Sequence, residues 1–269
     1  MASPPVKYLM RFLVIAYLVL LVAWPVSLVG VHTFEDGTEA LRHVVTDPNM
    51  THALWLTVRV AIASVIINTV FGVGTSLLLV RYRFPGRRIL SPLLDLPLSV
   101  SPVVVGLALT LVYGGRNGWL GPTLESWGFK VIFSTPGIIM ATTFVALPLV
   151  IREVVPVLEE IGVEQEQAAH SLGANSFQTF RRITLPSIRW AVIYGVVLSL
   201  ARSLGEFGAV KIVSGNISGV TRTATLVVEE EYLGFREANS YATAFLLAMV
   251  SVAFIVIVSI IRPKENPDK

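Results

Sequence analysis

The sequence has 269 residues, of which 54% are hydrophobic and only 14% charged, with a formal net charge of +3. A soluble chain of this size carries about 25% charged residues, so an ordinary soluble domain is excluded and the membrane is indicated. The basic residues form no single patch and no nucleic-acid motif accompanies them, while the lack of cysteine rules out disulfides, thiol catalysis and cysteine metal sites. A membrane-crossing helix needs about 20 apolar residues. The first such run is 9–31, which covers Phe12–Val31 and contains Pro25. Lys7 and Arg11 precede it, but it exceeds a signal-peptide core and no small-x-small site follows, so a retained helix is expected. The second span, 53–80, is uncharged from Val60 onward. The third, 89–113, is weaker and carries Asp95, Pro92, Pro97 and Pro102. The fourth, 133–151, contains Pro148. The fifth, 190–213, is interrupted by Arg202, Glu206 and Lys211, and the sixth, 241–261, is rich in Ala, Val and Ile. The expected fold class is an all-α integral membrane protein with six transmembrane helices, forming one domain over 1–269.

Basic residues collect on the cytoplasmic side of a membrane protein. With the N-terminus inside, the inner segments hold Lys7, Arg11, Arg81, Arg83, Arg87, Arg88, Arg152, Arg181, Arg182, Arg189, Arg262, Lys264 and Lys269. The outer loops hold only Arg42, Arg116, Lys130, Arg222 and Arg236. This asymmetry predicts both termini in the cytoplasm, and it makes 152–189 the longest inner loop.

That loop is polar in an otherwise apolar chain. Glu159, Glu160, Glu164 and Glu166 lead into it, and Ala168, Ala169, Leu172 and Phe177 give apolar positions at partly helical spacing. Gly173 is expected to end one short helix, Asn175 or Ser176 to cap the next, and Pro186 to mark a boundary near the fifth span. From periodicity alone, an amphipathic connector resting on the membrane fits as well as a docking element.

The residues decide between these readings. Gln167-Ala168-Ala169, then Gly173, then Ile183-Thr184-Leu185-Pro186 resembles the cytoplasmic signature of bacterial ABC importer permeases, E-A-A, three residues, G, nine residues, I-x-L-P. Both spacings match; the departure is Gln167 in place of glutamate, with Glu166 adjacent. The stretches LLDLPLSVSPVVVGLALTLVYG (93–114) and ARSLGEFGAVKIVSGNISGVTRT (201–223) are similar to sulfate permeases, and the second is shared in part with molybdate permeases. SGNISGVT followed by VVEEEY resembles the sulfate and thiosulfate branch, and within it the W-type permeases, which pair with a related T-type chain.

The resemblance implies the type I ABC importer permease fold, with a cytoplasmic coupling helix formed by Glu166, Gln167, Ala168, Ala169, Leu172 and Gly173 and anchored through Ile183, Leu185 and Pro186. It also implies a bacterial cell membrane location and three partners: a T-type permease, an ATPase dimer and an extracytoplasmic sulfate-binding protein. The chain has no G-x-x-x-x-G-K-[ST] phosphate loop, so ATP and magnesium are expected on the ATPase and no cofactor on this chain. In this scheme Ala168 and Ala169 face a groove of the ATPase. Membrane lipid surrounds the chain and no nucleic acid is expected.

Several other constellations carry chemistry. Arg202 and Glu206 are four apart on one helical face, deep in the membrane, where ionisable groups line pathways or pair internally. Ser99 and Ser101 flank the Pro97–Pro102 region, where hydroxyls either bind a dehydrated anion or satisfy freed backbone groups. Asp95 lies near the inner arginines. His32, His43 and His52 are spaced too widely for a compact metal site. Glu229, Glu230 and Glu231 read as a solvated or docking face rather than a catalytic cluster, and no nucleophile–base pair stands out. A molybdate permease is the near alternative. A stand-alone secondary transporter is the distant one, although no internal repeat supports it.

Overall fold

The computed structural model describes residues 4–35 and 37–261 of the chain. Arg262, Lys264 and Lys269, three of the basic residues assigned to the inner side, lie outside the described residues. All described regular elements are helical. Among the described residues, five helices are long and apolar enough to cross a membrane, and the number is six if one bent pair counts as a single span.

Helices α1 (Pro4–Leu18) and α2 (Trp24–Thr33) flank a π turn, Val19–Ala23. Pro25 lies in the first turn of α2, and the wider turn before it accommodates the ring and its missing N–H. The apolar surface from Val6 to Leu28 is exposed, so lipid or another chain must cover it. A short helix, α3 (Glu39–Thr46), leads into α4 (Pro48–Arg81). Asp47 caps α4 by accepting from the N–H groups of Asn49 and Met50, at 2.8 and 2.9 Å. With 34 residues, α4 is about 51 Å long, well beyond the hydrocarbon core, so its Arg81 end projects from the membrane.

The expected span 89–113 is two helices, α5 (Arg87–Ser99) and α6 (Pro102–Tyr113), bent by 111°. Pro102 supplies no N–H and forces Ser101 into an extended conformation, ψ 134°, so the helix stops and restarts. A six-residue helix, α7 (Gly121–Ser126), precedes α8 (Thr135–Ile161), which continues ten residues past the expected end of the fourth span.

Helices α4 and α8 pack against α11 (Leu185–Leu204) to form the centre of the bundle. Val150 of α8 is fully buried there. A Cβ added at Gly72 of α4 would come within 2.8 Å of Val150 Cβ, and one at Gly195 of α11 within 2.8 Å of Val150 Cα. Bare backbone on both sides allows this close approach, which is how helices associate where lipid is as apolar as leucine. Buried Asn68 of α4 adds a hydrogen bond to the Ser199 hydroxyl at 3.3 Å, and Ser64 donates to the Ile139 carbonyl at 3.3 Å.

The expected fifth span is broken as well. After α11 the chain passes through Gly205–Phe207 and restarts as α12 (Gly208–Ser214), which packs on α6 and α8. Then α13 (Ala224–Leu233) packs against α14 (Glu237–Ile261), the sixth span. The expectation for Glu229–Glu231 is corrected here. Each glutamate is an internal tie: Glu229 to Lys211, Glu230 to Arg222 at 3.0 Å, and Glu231 to Arg236 at 2.7 Å. The Arg236 hydrogen bond holds the Glu231 carboxyl below the usual carboxylate range, and Asn239 adds to this against the opposing effect of burial.

Candidate functional site: a clamped loop and two broken helices

The loop between α8 and α11 contains α9 (Glu164–Ser171) and α10 (Ser176–Thr179). Glu166 holds it in place. One carboxylate oxygen pairs with Arg81 Nε at 3.0 Å and the other accepts from the Thr184 hydroxyl at 2.8 Å. Arg81 also donates to the carbonyls of Leu158 and Gly162, at 3.0 and 2.7 Å. One ion pair therefore joins the end of α4, the end of α8, α9 and the turn before α11. Its side chains are only 12% and 19% exposed, which sets it apart from the weak ion pairs of open surfaces.

Gln167, the residue at the signature's glutamate position, is exposed and its side chain makes no hydrogen bond among the described residues. Ala168 is exposed too, whereas Ala169 is buried against its own chain. The expectation that Ala169 faces the ATPase is therefore corrected; α9 turns that side toward α10 and the following turn. The surface left free is largely polar but carries two large apolar side chains, Leu172 at 89% exposed and Phe177 at 69% exposed.

Gly173 has φ +86°, and its N–H donates to the His170 carbonyl at 3.0 Å while the Ala174 N–H reaches the Ala169 carbonyl at 3.0 Å. These two bonds close a left-handed C-terminal cap. Asn175 and Gln178 then form reciprocal side-chain-to-backbone bonds at 2.9 and 3.0 Å that start α10. Pro186 lies at the start of the fifth span, as expected. A π turn, Phe180–Thr184, joins α10 to α11, with Leu185 and Pro186 in the first turn of α11 and Ile183 half-buried in the π turn. Replacing Gly173 with Val should strain the cap by about 1–2 kcal/mol, since a β-branched residue avoids positive φ. No neighbouring atom blocks the new side chain, so membrane insertion should be unchanged while the loop opens to protease. Limited proteolysis of membranes carrying the variant checks this.

The second group of residues lies at the two helix breaks, which touch. A Cβ at Gly208 would lie 3.0 Å from Pro102 Cβ, and one at Gly106 would lie 2.8 Å from the Ala209 carbonyl oxygen. Glu206 is the centre of the α11–α12 break and only 3% exposed. Its Oε2 pairs with Arg202 Nη1 at 2.7 Å, its Oε1 accepts from the Ala209 N–H at 2.9 Å, and its carbonyl accepts from Thr225 at 2.9 Å. The carboxylate thus caps α12 and neutralises Arg202, whose side chain stays 34% exposed. Because α11 begins at Leu185, Arg202 lies about 26 Å from its start, further along the span than a helix begun at Trp190 implies. Ser99 and Ser101 flank the other break, both exposed, and neither hydroxyl caps α6. Asp95 pairs with Arg152 at 2.9 Å and ties α5 to α8. Two roles have no signal in the sequence: that of Arg81 as the partner of Glu166, and that of Glu206 as a helix cap.

The chain is thus a bundle of broken and continuous helices with a loop tied to it at one end. A family model for the binding-protein-dependent transport system inner membrane component matches residues 68–265, and the chain belongs to that family. The sulfate transport system permease protein CysW of Synechocystis is 46% identical over 264 residues, covering 98% of this chain and 95% of that protein. CysW of Escherichia coli is 43% identical, covering 91% and 84%, and CysT of Salmonella typhimurium is 41% identical, covering 78% and 76%. A crystal structure of a bacterial ABC transporter involved in alginate import aligns with a TM-score of 0.79 at 16% identity, covering 95% of this chain and 94% of that one. The fold is that of a type I ABC importer permease.

Proposed function

We propose that this chain is one of two permease subunits of an ATP-driven sulfate importer. The observation that carries the mechanical part is the Arg81–Glu166–Thr184 clamp, which fixes α9 to three membrane elements. A loop held this way transmits a push, whereas a loosely tethered amphipathic helix absorbs it. The exposed Leu172 and Phe177, with Gln167 and Ala168 beside them, form the face offered to a cytoplasmic ATPase dimer, which binds ATP and magnesium. The relatives named CysW and CysT support a T-type second permease, which would also cover the bare α1–α2 surface. Their sulfate designation favours sulfate over molybdate, and the family name favours delivery by an extracytoplasmic binding protein over a stand-alone secondary transporter.

The pathway is assigned to the paired breaks, where Ser99 and Ser101 on one side and Arg202 on the other are exposed enough to meet an anion. Reconstitution tests the proposal. Proteoliposomes with the partner permease, ATPase and binding protein should accumulate labelled sulfate only with internal ATP. Accumulation by this chain alone under an ion gradient, or uptake of molybdate but not sulfate, overturns it.

A further inference from the structure

A cavity of about 620 Å³ lies between the C-terminal end of α6, α7 and the start of α8, lined by Thr110, Gly115, Arg116, Asn117, Glu125 and Lys130 among others. The 27 residues of α8 separate its level from the coupling loop by about 40 Å, so the cavity is on the opposite face. Arg116 and Lys130 have no carboxylate within salt-bridge distance among the described residues. This distinguishes them from Lys211, Arg222 and Arg236, each of which has its own glutamate.

The loop between α6 and α7 adds backbone donors. The N–H groups of Gly114 and Gly118 are used internally, at 2.8 Å to Thr110 and 2.7 Å to Gly114. Those of Gly115, Arg116 and Asn117 donate to no group among the described residues. Successive free N–H groups beside two cations make an anion-binding concavity. One acid faces it: the Glu125 carboxylate lies against the α-carbon of Gly115, in the space a Cβ there would need.

We propose that this cavity is a transient site for a hydrated divalent oxyanion of the sulfate class, entered before the paired helix breaks. The inference rests on the sulfate reading above. Its volume suits a weak, solvated hold, because a water occupies about 30 Å³ and the ion keeps much of its shell. Glu125 leaves the site with one net positive charge from its side chains, enough to attract a dianion without trapping it. Helix α6 connects the two places directly, since Thr110 lines the cavity and Ser101 precedes the first turn of the same helix.

The test uses the assembled transporter in proteoliposomes with sulfate-loaded binding protein. The Arg116→Ala/Lys130→Ala double variant should lose roughly tenfold in initial uptake at low salt, with the deficit shrinking as salt screens the field. The binding-protein concentration giving half-maximal ATPase stimulation should stay at the wild-type value. The charge-preserving Arg116→Lys/Lys130→Arg variant should transport normally. Unchanged uptake in the alanine variant overturns the site. A raised half-maximal concentration also overturns it, by making the cations a protein-docking contact, and so does equal loss in the charge-preserving variant. Failure of the sulfate reading looks different, because wild type itself then imports none.

Discussion

Glu166→Ala should reduce ATP-driven uptake to below about a twentieth of wild type while the chain still inserts and assembles in the membrane. The carboxylate accepts from Arg81 and from Thr184, and no other side chain joins α9 to α4 among the described residues. Breaking a buried ion pair by removing one partner costs about 3–5 kcal/mol. This pair is only partly buried and Arg81 keeps its bonds to the Leu158 and Gly162 carbonyls, so a smaller cost of about 2–3 kcal/mol applies. At about 1.4 kcal/mol per factor of ten, that raises the detached population of α9 some thirtyfold to a hundredfold. A detached helix no longer carries force between ATPase and membrane helices. Limited proteolysis around 162–175 in membranes without the ATPase reads this directly. Gln167→Ala is the control, because that side chain is exposed and unbonded within the chain, and its loop should resist protease like wild type. The reverse pattern, with Gln167→Ala opening the loop and Glu166→Ala leaving it closed, would sink the clamp.

These two neighbours also mark where sequence reasoning stops. Apolar runs place membrane helices because a bilayer core demands about 20 consecutive apolar residues and water-facing structure seldom sustains them; the runs 53–80 and 241–261 lie wholly within α4 and α14, while 89–113 and 190–213 are each broken once. Gly173 and Asn175 are equally local signals: the cap conformation and the capping box depend on residues within a few positions. The partner of Glu166 is 85 residues away, and nothing in the 167–186 signature points to Arg81. Alignment to the signature draws attention to Gln167, while the fold gives the work to Glu166. The breaks divide the same way. Pro102 announces the α5–α6 bend, but Gly205–Phe207 contains no proline, and there the break is stabilised by Glu206 folding back onto the Ala209 N–H. The Glu229–Glu231 run looks solvated in sequence, because its cations come from Lys211, Arg222 and Arg236 on separate segments.

The Arg202–Glu206 pair separates pathway from scaffold through a double substitution. Glu206 has 2% of its side chain exposed and Arg202 34%, so the two single variants should differ. Arg202→Met leaves a buried carboxylate with only the Ala209 N–H, and is expected to cost about 3–5 kcal/mol and lower the melting temperature of the purified complex. Glu206→Gln keeps an oxygen for that N–H and leaves a guanidinium that reaches water, so its cost should be about 1–2 kcal/mol. Combining Arg202→Met with Glu206→Gln removes both charges and retains the cap, and should restore most of the stability lost by Arg202→Met alone. Uptake should not return with it. Arg202 is the cation of the α11–α12 break with a third of its side chain open, and an anion passing between the breaks loses its electrostatic partner when the guanidinium is gone. Melting temperature and labelled sulfate uptake, measured on the same preparations, decide the matter. A double variant that regains both stability and transport would make the pair a structural tie and move the anion's path elsewhere.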